Sequence, residues 1–261
     1  MKAFLDTAIE AAQAAGRIQQ FYLDTDLDIG TKSSETDLVT KVDKLCEARI
    51  RELIAQAYPD HVVLGEEEGQ HGEANYRWII DPLDGTLNYA HGFPFYCTSV
   101  ALEHRGDILV GAVFDSTRNE LFTAIRGDGA FLNGRRIAVS READLKKAML
   151  ATGFSYQEDI LRENLAFFAR VHPQARTIRR PGAAALDLCY VACGRLDGFW
   201  ELSLSPWDVA AGLLIIREAG GTLTGMQGEP YRLDMPRLVA TNGHLHMKLI
   251  HALGVSQTLA S

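Results

Sequence analysis

The sequence predicts an α+β fold built of stacked sheets and helices. Three observations lead to it: two amphipathic stretches of helical period before residue 60, a run of short β-type segments between Phe95 and Val139, and a second half in which strands alternate with helices. No repeat, low-complexity tract or long linker interrupts the chain, so one unit over residues 1–261 is expected.

Phe4, Leu5, Ala8, Ala11, Ala12, Ala15, Ile18 and Tyr22 recur at three- and four-residue spacing, which marks a helix with one apolar face. A polar connector runs from Asp24 to Asp37. Val42, Leu45, Cys46, Ile50, Leu53, Ile54 and Ala57 repeat the helical period, and Pro59 ends that helix. Val62-Val63-Leu64 and Trp78-Ile79-Ile80 are apolar runs that stop in acidic turns, as buried strands delivering carboxylates at their ends would. Strands are then expected at Thr98–Glu103, Ile108–Asp115, Glu120–Ile125 and Ala130–Leu132, with Asn133-Gly134 as a hairpin dipeptide. Beyond them, strands are expected at Met149–Thr152, Gly198–Leu202 and Val239–Thr241. The matching helices are Leu161–Val171, Ala184–Cys193 closed by Gly194, Val209–Ala219 closed by Gly220-Gly221, and His246–Leu253.

With 47% hydrophobic and 23% charged residues the chain is globular rather than disordered, and 261 residues can bury about three quarters of the unfolded surface. A formal charge of −8 argues against nucleic acid as a partner. An acidic protein acting on an anion needs a local reversal of field, and bound divalent cations supply one. Cys46, Cys97, Cys189 and Cys193 are scattered among apolar residues with no C-x-x-C pair, so they read as core. Asp6 and Glu10 speak against a signal peptide, and no apolar run approaches the roughly 18 residues that span a membrane. The expectation is a cytoplasmic protein.

Chemistry concentrates in three acidic segments: Gly65-Glu66-Glu67-Glu68-Gly69, Asp81-Pro82-Leu83-Asp84-Gly85-Thr86, and Trp207-Asp208 at a helix start. Mg²⁺ takes oxygen ligands, keeps waters, and accepts a few carboxylates plus substrate phosphate. Two such ions roughly 3.5–4 Å apart can clamp a phosphoryl group. Pro82 fixes its own φ, so the turn can aim both carboxylates and the Leu83 carbonyl at one point. Gly85 allows close backbone approach, and if Gly85 and Thr86 open a helix their N–H groups offer a phosphate seat. Plainer readings stand beside these. Asp-Gly is ordinary turn chemistry, and a Glu triplet between glycines suits a solvated turn. Ser205-Pro206-Trp207-Asp208 fits N-cap to N3 of a helix, and Thr40 to Asp43 fits a capping-box variant. Each motif alone is modest; their joint occurrence at the ends of buried runs is what points to catalysis.

At these residues the sequence resembles the inositol monophosphatase family. The matches are Lys32-Ser33-Ser34, Asp37-Leu38-Val39-Thr40 through Asp43, Gly65-Glu66-Glu67, and Trp78-Ile79-Ile80-Asp81-Pro82-Leu83-Asp84-Gly85-Thr86-Leu87-Asn88-Tyr89. They continue with Gly182-Ala183-Ala184-Ala185-Leu186, Glu201, and Trp207-Asp208-Val209-Ala210-Ala211-Gly212 through Glu218-Ala219-Gly220-Gly221. The resemblance covers nearly the whole chain in the family's order. It implies a layered αβαβα sandwich, usually homodimeric, with two to three Mg²⁺ ions per active site and often inhibition by Li⁺. Glu66, Asp81 and the Leu83 carbonyl would hold the first ion. Asp81 would bridge to a second shared with Asp84 and Asp208, and a third, weaker site would lean on Glu66. Thr86 and Asp43 would orient and deprotonate the attacking water, with Glu67 nearby. Substrate would meet Glu66, Leu83, Asp84 and Asp208, the amides of Gly85 and Thr86 under its phosphate, and, on the alcohol side, the Gly182, Ala183 and Ala184 backbone and the Glu201 carboxylate. Pro181-Gly182-Ala183 stands where many relatives carry a hydroxyl residue beside the glycine, so the resemblance implies backbone contacts there without a side-chain hydrogen bond to substrate.

The implied reaction is hydrolysis of a small phosphorylated polyol, inositol 1-phosphate first. Relatives also cleave fructose 1,6-bisphosphate, histidinol phosphate or nucleotide 3′-phosphates, and some bacterial relatives are partners of the transcription antitermination machinery, a contact that Arg179, Arg180 and Arg195 can offer, although flanking of the phosphate-facing loop or plain solvation is the favoured reading of these arginines. Phosphate-monoester hydrolysis demands on the order of 20 kcal/mol of barrier reduction. With no nucleophilic Cys or Ser motif in the sequence, metal-assisted attack by water is the expected route.

Overall fold

The computed structural model describes residues 1–23, 25, 30–31 and 38–255. Lys32-Ser33-Ser34, Asp37 and most of the polar connector lie outside the described residues.

Both N-terminal helices form where the period places them. α1 is Lys2–Tyr22 and α2 is Lys41–Ala57. Between them Gly30–Thr31 (β1) pairs antiparallel with Leu38–Val39 (β2). Next come β3 (Val62–Gly65), β4 (Gly69–Gln70), β5 (Tyr76–Asp84), the short helix α3 (Thr86–Ala90), β6 (Cys97–His104), β7 (Asp107–Asp115), β8 (Glu120–Ile125), β9 (Gly129–Leu132) and β10 (Arg135–Arg136). These strands make one sheet in the order β10-β9-β8-β7-β6-β5-β3-β4, antiparallel except where β3 runs parallel to β5. Asn133-Gly134 makes the β9–β10 hairpin, Leu132 facing Arg135.

The second half supplies β11 (Met149–Thr152), α4 (Glu158–Val171), β12 (Thr177–Arg179), α5 (Ala184–Ala192), β13 (Gly198–Glu201), α6 (Pro206–Glu218), β14 (Thr222–Thr224), β15 (Leu238–Thr241) and α7 (His246–Leu253). Its sheet has the order β12-β11-β13-β15-β14, with β11 parallel to both neighbours. The layers are therefore α1/α2, eight-stranded sheet, α5/α6, five-stranded sheet, α4/α7: the αβαβα sandwich.

Alternation along the strands sorts side chains among three cores. Trp78, Ile80, Val100, Leu102 and Phe114 pack under α1 and α2, where Ala8, Ala11, Ala12 and Ala15 let the helix lie close. Ile79, Ala101 and Val113 face the central core with α5 and α6, opposed by Ala151, Phe199 and Ala240 of the second sheet. Leu150, Trp200 and Val239 turn outward onto Phe167, Val171, Leu249 and Leu253. Strands covered on both faces read as continuous apolar runs, which is why they were visible in sequence without alternation.

One local expectation is corrected. Asp81 to Asp84 is the end of β5 and not a turn after it. The register runs Asp81↔Ser99, then Asp84↔Cys97, so Pro82 and Leu83 together oppose Thr98. This is a β-bulge. Its extra residue reverses the phase: Leu83 joins Trp78 and Ile80 in the α1/α2 core, so Asp84 returns to the central side with Asp81. The bulged backbone is fully partnered. The Pro82 carbonyl accepts from Gln19 Nε2 (3.0 Å) and Thr98 Oγ1 (3.1 Å), and the Leu83 N–H donates to Asp81 Oδ1 (3.0 Å).

Candidate active site

Asp43 is the third residue of α2 and lies in a capping box. Its Oδ2 accepts from the Thr40 N–H (2.8 Å) and Thr40 Oγ1 (2.7 Å). Its other oxygen reaches across to α3, where Thr86 Oγ1 donates to Asp43 Oδ1 at 2.9 Å. The helix cap and the contact to Thr86 are thus made by one carboxylate. Thr86 Oγ1 also stands 3.1 Å from the Leu83 carbonyl. A hydroxyl has one proton, and the buried carboxylate is the stronger acceptor. The Thr86 oxygen then keeps lone pairs that can accept a proton from water.

Gly85 opens α3 at φ 91°, a left-handed conformation, and a Cβ there would meet the Phe95 carbonyl at 3.0 Å. Glycine is required on both counts.

Asp84 is held by a helix 100 residues away. Its Oδ2 accepts from the Ala185 N–H (2.7 Å) and its Oδ1 from the Ala184 N–H (3.2 Å), so it caps α5 at the positive end of the helix dipole. This brings the Gly182–Ala184 turn to the bulge. Asn88 Nδ2 reinforces the junction by donating to the carbonyls of Phe95 (2.7 Å) and Pro181 (2.8 Å). Asp208 is the third residue of α6 and accepts from the Ser205 N–H at 2.7 Å, again a capping box.

Glu66, Asp84, Asp208, Glu201 and Gly182, Ala183 and Ala184 line one cavity of about 450 Å³. Small-molecule sites commonly span roughly 300–1,000 Å³. Asp43, Glu67, Asp81, Leu83, Gly85 and Thr86 stand outside its lining, joined to it through Asp84 and Glu66 as chain neighbours and through the Thr86–Asp43 bond.

Sequence reasoning missed several contributors. Gly153 and Tyr156 are among the further residues that line the wall, and Arg180, expected beside the phosphate-facing loop, lines it too. Gly153 matters most: a Cβ on it would lie 2.2 Å from the Glu201 carboxyl atoms. Asp187, one turn into α5, is buried, and its Oδ1 is the one buried side-chain atom among the described residues without a hydrogen-bond partner. An acid in the apolar run 184–193 was the signal available for it. Of the arginines offered as a surface contact, Arg195 is engaged by Glu120 (2.5 and 2.6 Å) and lies over Tyr190, and Arg179 donates to Thr177 Oγ1. The cysteines are free and three of the four are buried.

The family model described as the inositol monophosphatase family matches residues 1–258. This chain belongs to the inositol monophosphatase family. "Inositol monophosphatase 2" of Solanum lycopersicum is 43% identical, over 98% of this chain and 100% of that one. "Nus factor SuhB" of Pseudomonas aeruginosa is 42% identical, over 93% and 92%. The solved inositol monophosphatase of Anabaena (Nostoc) sp. PCC 7120 superposes with a TM-score of 0.88 at 43% identity, covering 99% of this chain and 98% of that one. As a member of the family the chain is an inositol-phosphate phosphatase.

The five residues expected to ligate metal do not form a closed cage. Among the described residues, no three of His, Cys, Asp and Glu converge tightly enough to hold an ion. Three of the carboxylates accept from backbone N–H groups: Asp84 from Ala184 and Ala185, Asp208 from Ser205, Asp81 from Leu83. The donor set nevertheless fits a hard divalent cation, since it offers only oxygen, from four carboxylates and one backbone carbonyl. Burial, then the charge of Asp208, pushes the Asp84 carboxyl up to about 7. Burial, then Asp208 and Asp84, pushes Glu201 up to about 8. Positive charge in the cavity would relieve both.

Among the described residues no helix is long and apolar enough to cross a membrane.

Proposed function

We propose that this chain is a Mg²⁺-dependent phosphatase that hydrolyses inositol 1-phosphate to inositol and phosphate by direct attack of water. The observation that carries the proposal is the Thr86–Asp43 hydrogen bond standing beside Asp84, whose carboxylate opens into the same cavity as Glu66, Asp208 and Glu201. Glu66, Asp81, the Leu83 carbonyl, Asp84 and Asp208 would hold two ions, with a third leaning on Glu66. When bound, the ions supply the positive charge that neutralises phosphate and acidifies water.

The chain's own groups do the rest. Thr86 Oγ1 takes a proton from water as its own proton passes to Asp43 Oδ1, with Glu67 nearby. Amides of Gly85 and Thr86 seat the phosphate. The Gly182–Ala184 backbone and Glu201 orient the alcohol, Glu201 by accepting hydrogen bonds from its hydroxyls. The same reading carries a homodimer and sensitivity to Li⁺.

The test is a phosphate-release panel with Mg²⁺, with and without Li⁺, on inositol 1-phosphate, fructose 1,6-bisphosphate, histidinol phosphate and a nucleotide 3′-phosphate. Preference for inositol 1-phosphate, abolished by chelation, is the expected result. No Mg²⁺-dependent release from any of the four would end the proposal.

A second role is favoured by relatives named Nus factor SuhB: an interaction partner of the antitermination machinery. Co-purification with transcription factors that survives Asp84→Asn would support it as independent of turnover, and no co-purification with the native chain would dismiss it.

A further inference from the structure

Glu47 follows Asp43 by four residues on α2, so the two carboxylates lie on one helix face a single turn apart. Its side chain is fully buried. Oε2 accepts from the Glu67 N–H at 2.8 Å and Oε1 from the Glu68 N–H at 3.0 Å. Arg51, one turn further on, donates to Oε1 at 2.9 Å. Arg51 also reaches the carbonyls of Val63 (3.3 Å) and Gly69 (2.6 Å), one in β3 and the other opening β4. Gly65 completes the arrangement. A Cβ there would lie 2.4 Å from Glu47 Oε1 and 2.7 Å from Oε2, and its φ is not in the left-handed region, so glycine is present for space alone.

We propose that Glu47 is a positioning residue for the metal site: it holds the Glu66-Glu67-Glu68 turn by its backbone so that the Glu66 carboxylate is presented to the cavity. This rests on the phosphatase reading. α2 then acts as a rigid spacer. At one turn it grips Thr86 through Asp43, and at the next it grips the glutamate turn through Glu47. The separation between the water-orienting pair and Glu66 is set by helix pitch rather than by a loop. Only a carboxylate suits the position, because both N–H groups need an acceptor. A glutamine would turn its NH₂ toward one of them.

The experiment uses the full chain with Glu47→Gln and Gly65→Ala, the latter pushing the carboxylate away while leaving Glu47 in place. Mg²⁺ binding is measured by calorimetry without substrate, and amide hydrogen exchange is measured on the metal-free native chain. Both variants should bind Mg²⁺ more weakly by about 10- to 100-fold, the usual cost of losing an outer partner of a metal ligand. In the native chain the Glu67 and Glu68 amides should exchange as slowly as those of β3. Unchanged Mg²⁺ affinity in variants that have merely lost thermal stability would overturn the role. So would exchange of both amides at open-turn rates in the native chain, a result that does not depend on any variant folding. A native chain that gives no heat with Mg²⁺ would overturn the proposed Mg²⁺ dependence itself, which separates the two failures.

Discussion

Gly153→Ala should strip the enzyme of substrate preference while leaving its fold almost untouched. The new Cβ would sit 2.2 Å from Cδ, Oε1 and Oε2 of Glu201, whereas ordinary contact begins near 3.4 Å. The carboxylate must therefore retreat by 3.4 − 2.2 = 1.2 Å. The obstructed atoms are the far end of a side chain that opens on a cavity, so rotation relieves the clash without moving backbone. The stability cost should be within about 1 kcal/mol. The functional cost is larger. A hydrogen bond stretched by more than 1 Å is lost, and one made to a charged group contributes about 1.5–3 kcal/mol. That converts to a fall in kcat/KM for inositol 1-phosphate of roughly 10- to 150-fold. A featureless ester such as p-nitrophenyl phosphate offers Glu201 no hydroxyl and should lose less than about threefold. The assay is a pair of kcat/KM measurements on native and variant chains, with a thermal melt as control. Equal losses on both esters, or none on either, would refute the assignment of Glu201 to the alcohol and of Gly153 to its seat.

Three further outcomes are expected. Thr86→Ala should lower kcat by about 100-fold or more at saturating Mg²⁺, the usual weight of general-base assistance; a change confined to KM would contradict a role on water. Asp84→Asn should abolish Mg²⁺-dependent turnover with a melting temperature close to native, because the lost acceptor at the α5 cap is offset by relief of repulsion with Asp208; retained turnover would remove Asp84 from the ligand set. His61 accepts from Trp78 Nε1 through Nδ1 at 3.1 Å between the rings of Tyr58 and Tyr76, and burial, partly opposed by Asp60, holds it below the ordinary histidine range. A depressed histidine favours the neutral form, so its stabilisation is complete above the unfolded value near 6.5 and is lost as pH falls from there through the folded value. The native melting temperature should drop over that window more steeply than that of His61→Gln, and parallel slopes in differential scanning calorimetry would count against it.

The capping boxes show how a bland and a functional reading of one motif can both hold. Thr40-to-Asp43 and Ser205-to-Asp208 are helix caps by every local criterion. A cap uses one carboxylate oxygen and fixes the side chain at a helix start. The second oxygen of Asp43 is thereby aimed at Thr86. Local structure serves as the positioning device, so the two readings do not compete. The Asp81–Asp84 segment is the opposite case. Its composition is that of a turn, but β6 on one side and Gln19 on the other hold it as a bulged strand, and neither partner is near in sequence.

Short edge strands escaped the sequence for a similar reason. Thr177–Arg179 and Thr222–Thr224 have too few residues to show a period and exist because a neighbour pairs with them. Glu47 was legible in principle, as an acid on the buried stripe of α2 four residues after Asp43, but periodicity registers only apolar positions.

By itself the sequence determined the helices, the long strands, the layered class and which residue types could carry phosphate chemistry, because spacing, caps and turn dipeptides act within a few residues. Tertiary structure alone decided that Asp84 caps α5, that Glu201 fits against Gly153, and that one turn of α2 separates the grips on Thr86 and on the glutamate turn. Those facts are distances through space between groups 20 to 100 residues apart. They follow from how cores pack and sheets register, which no local pattern encodes.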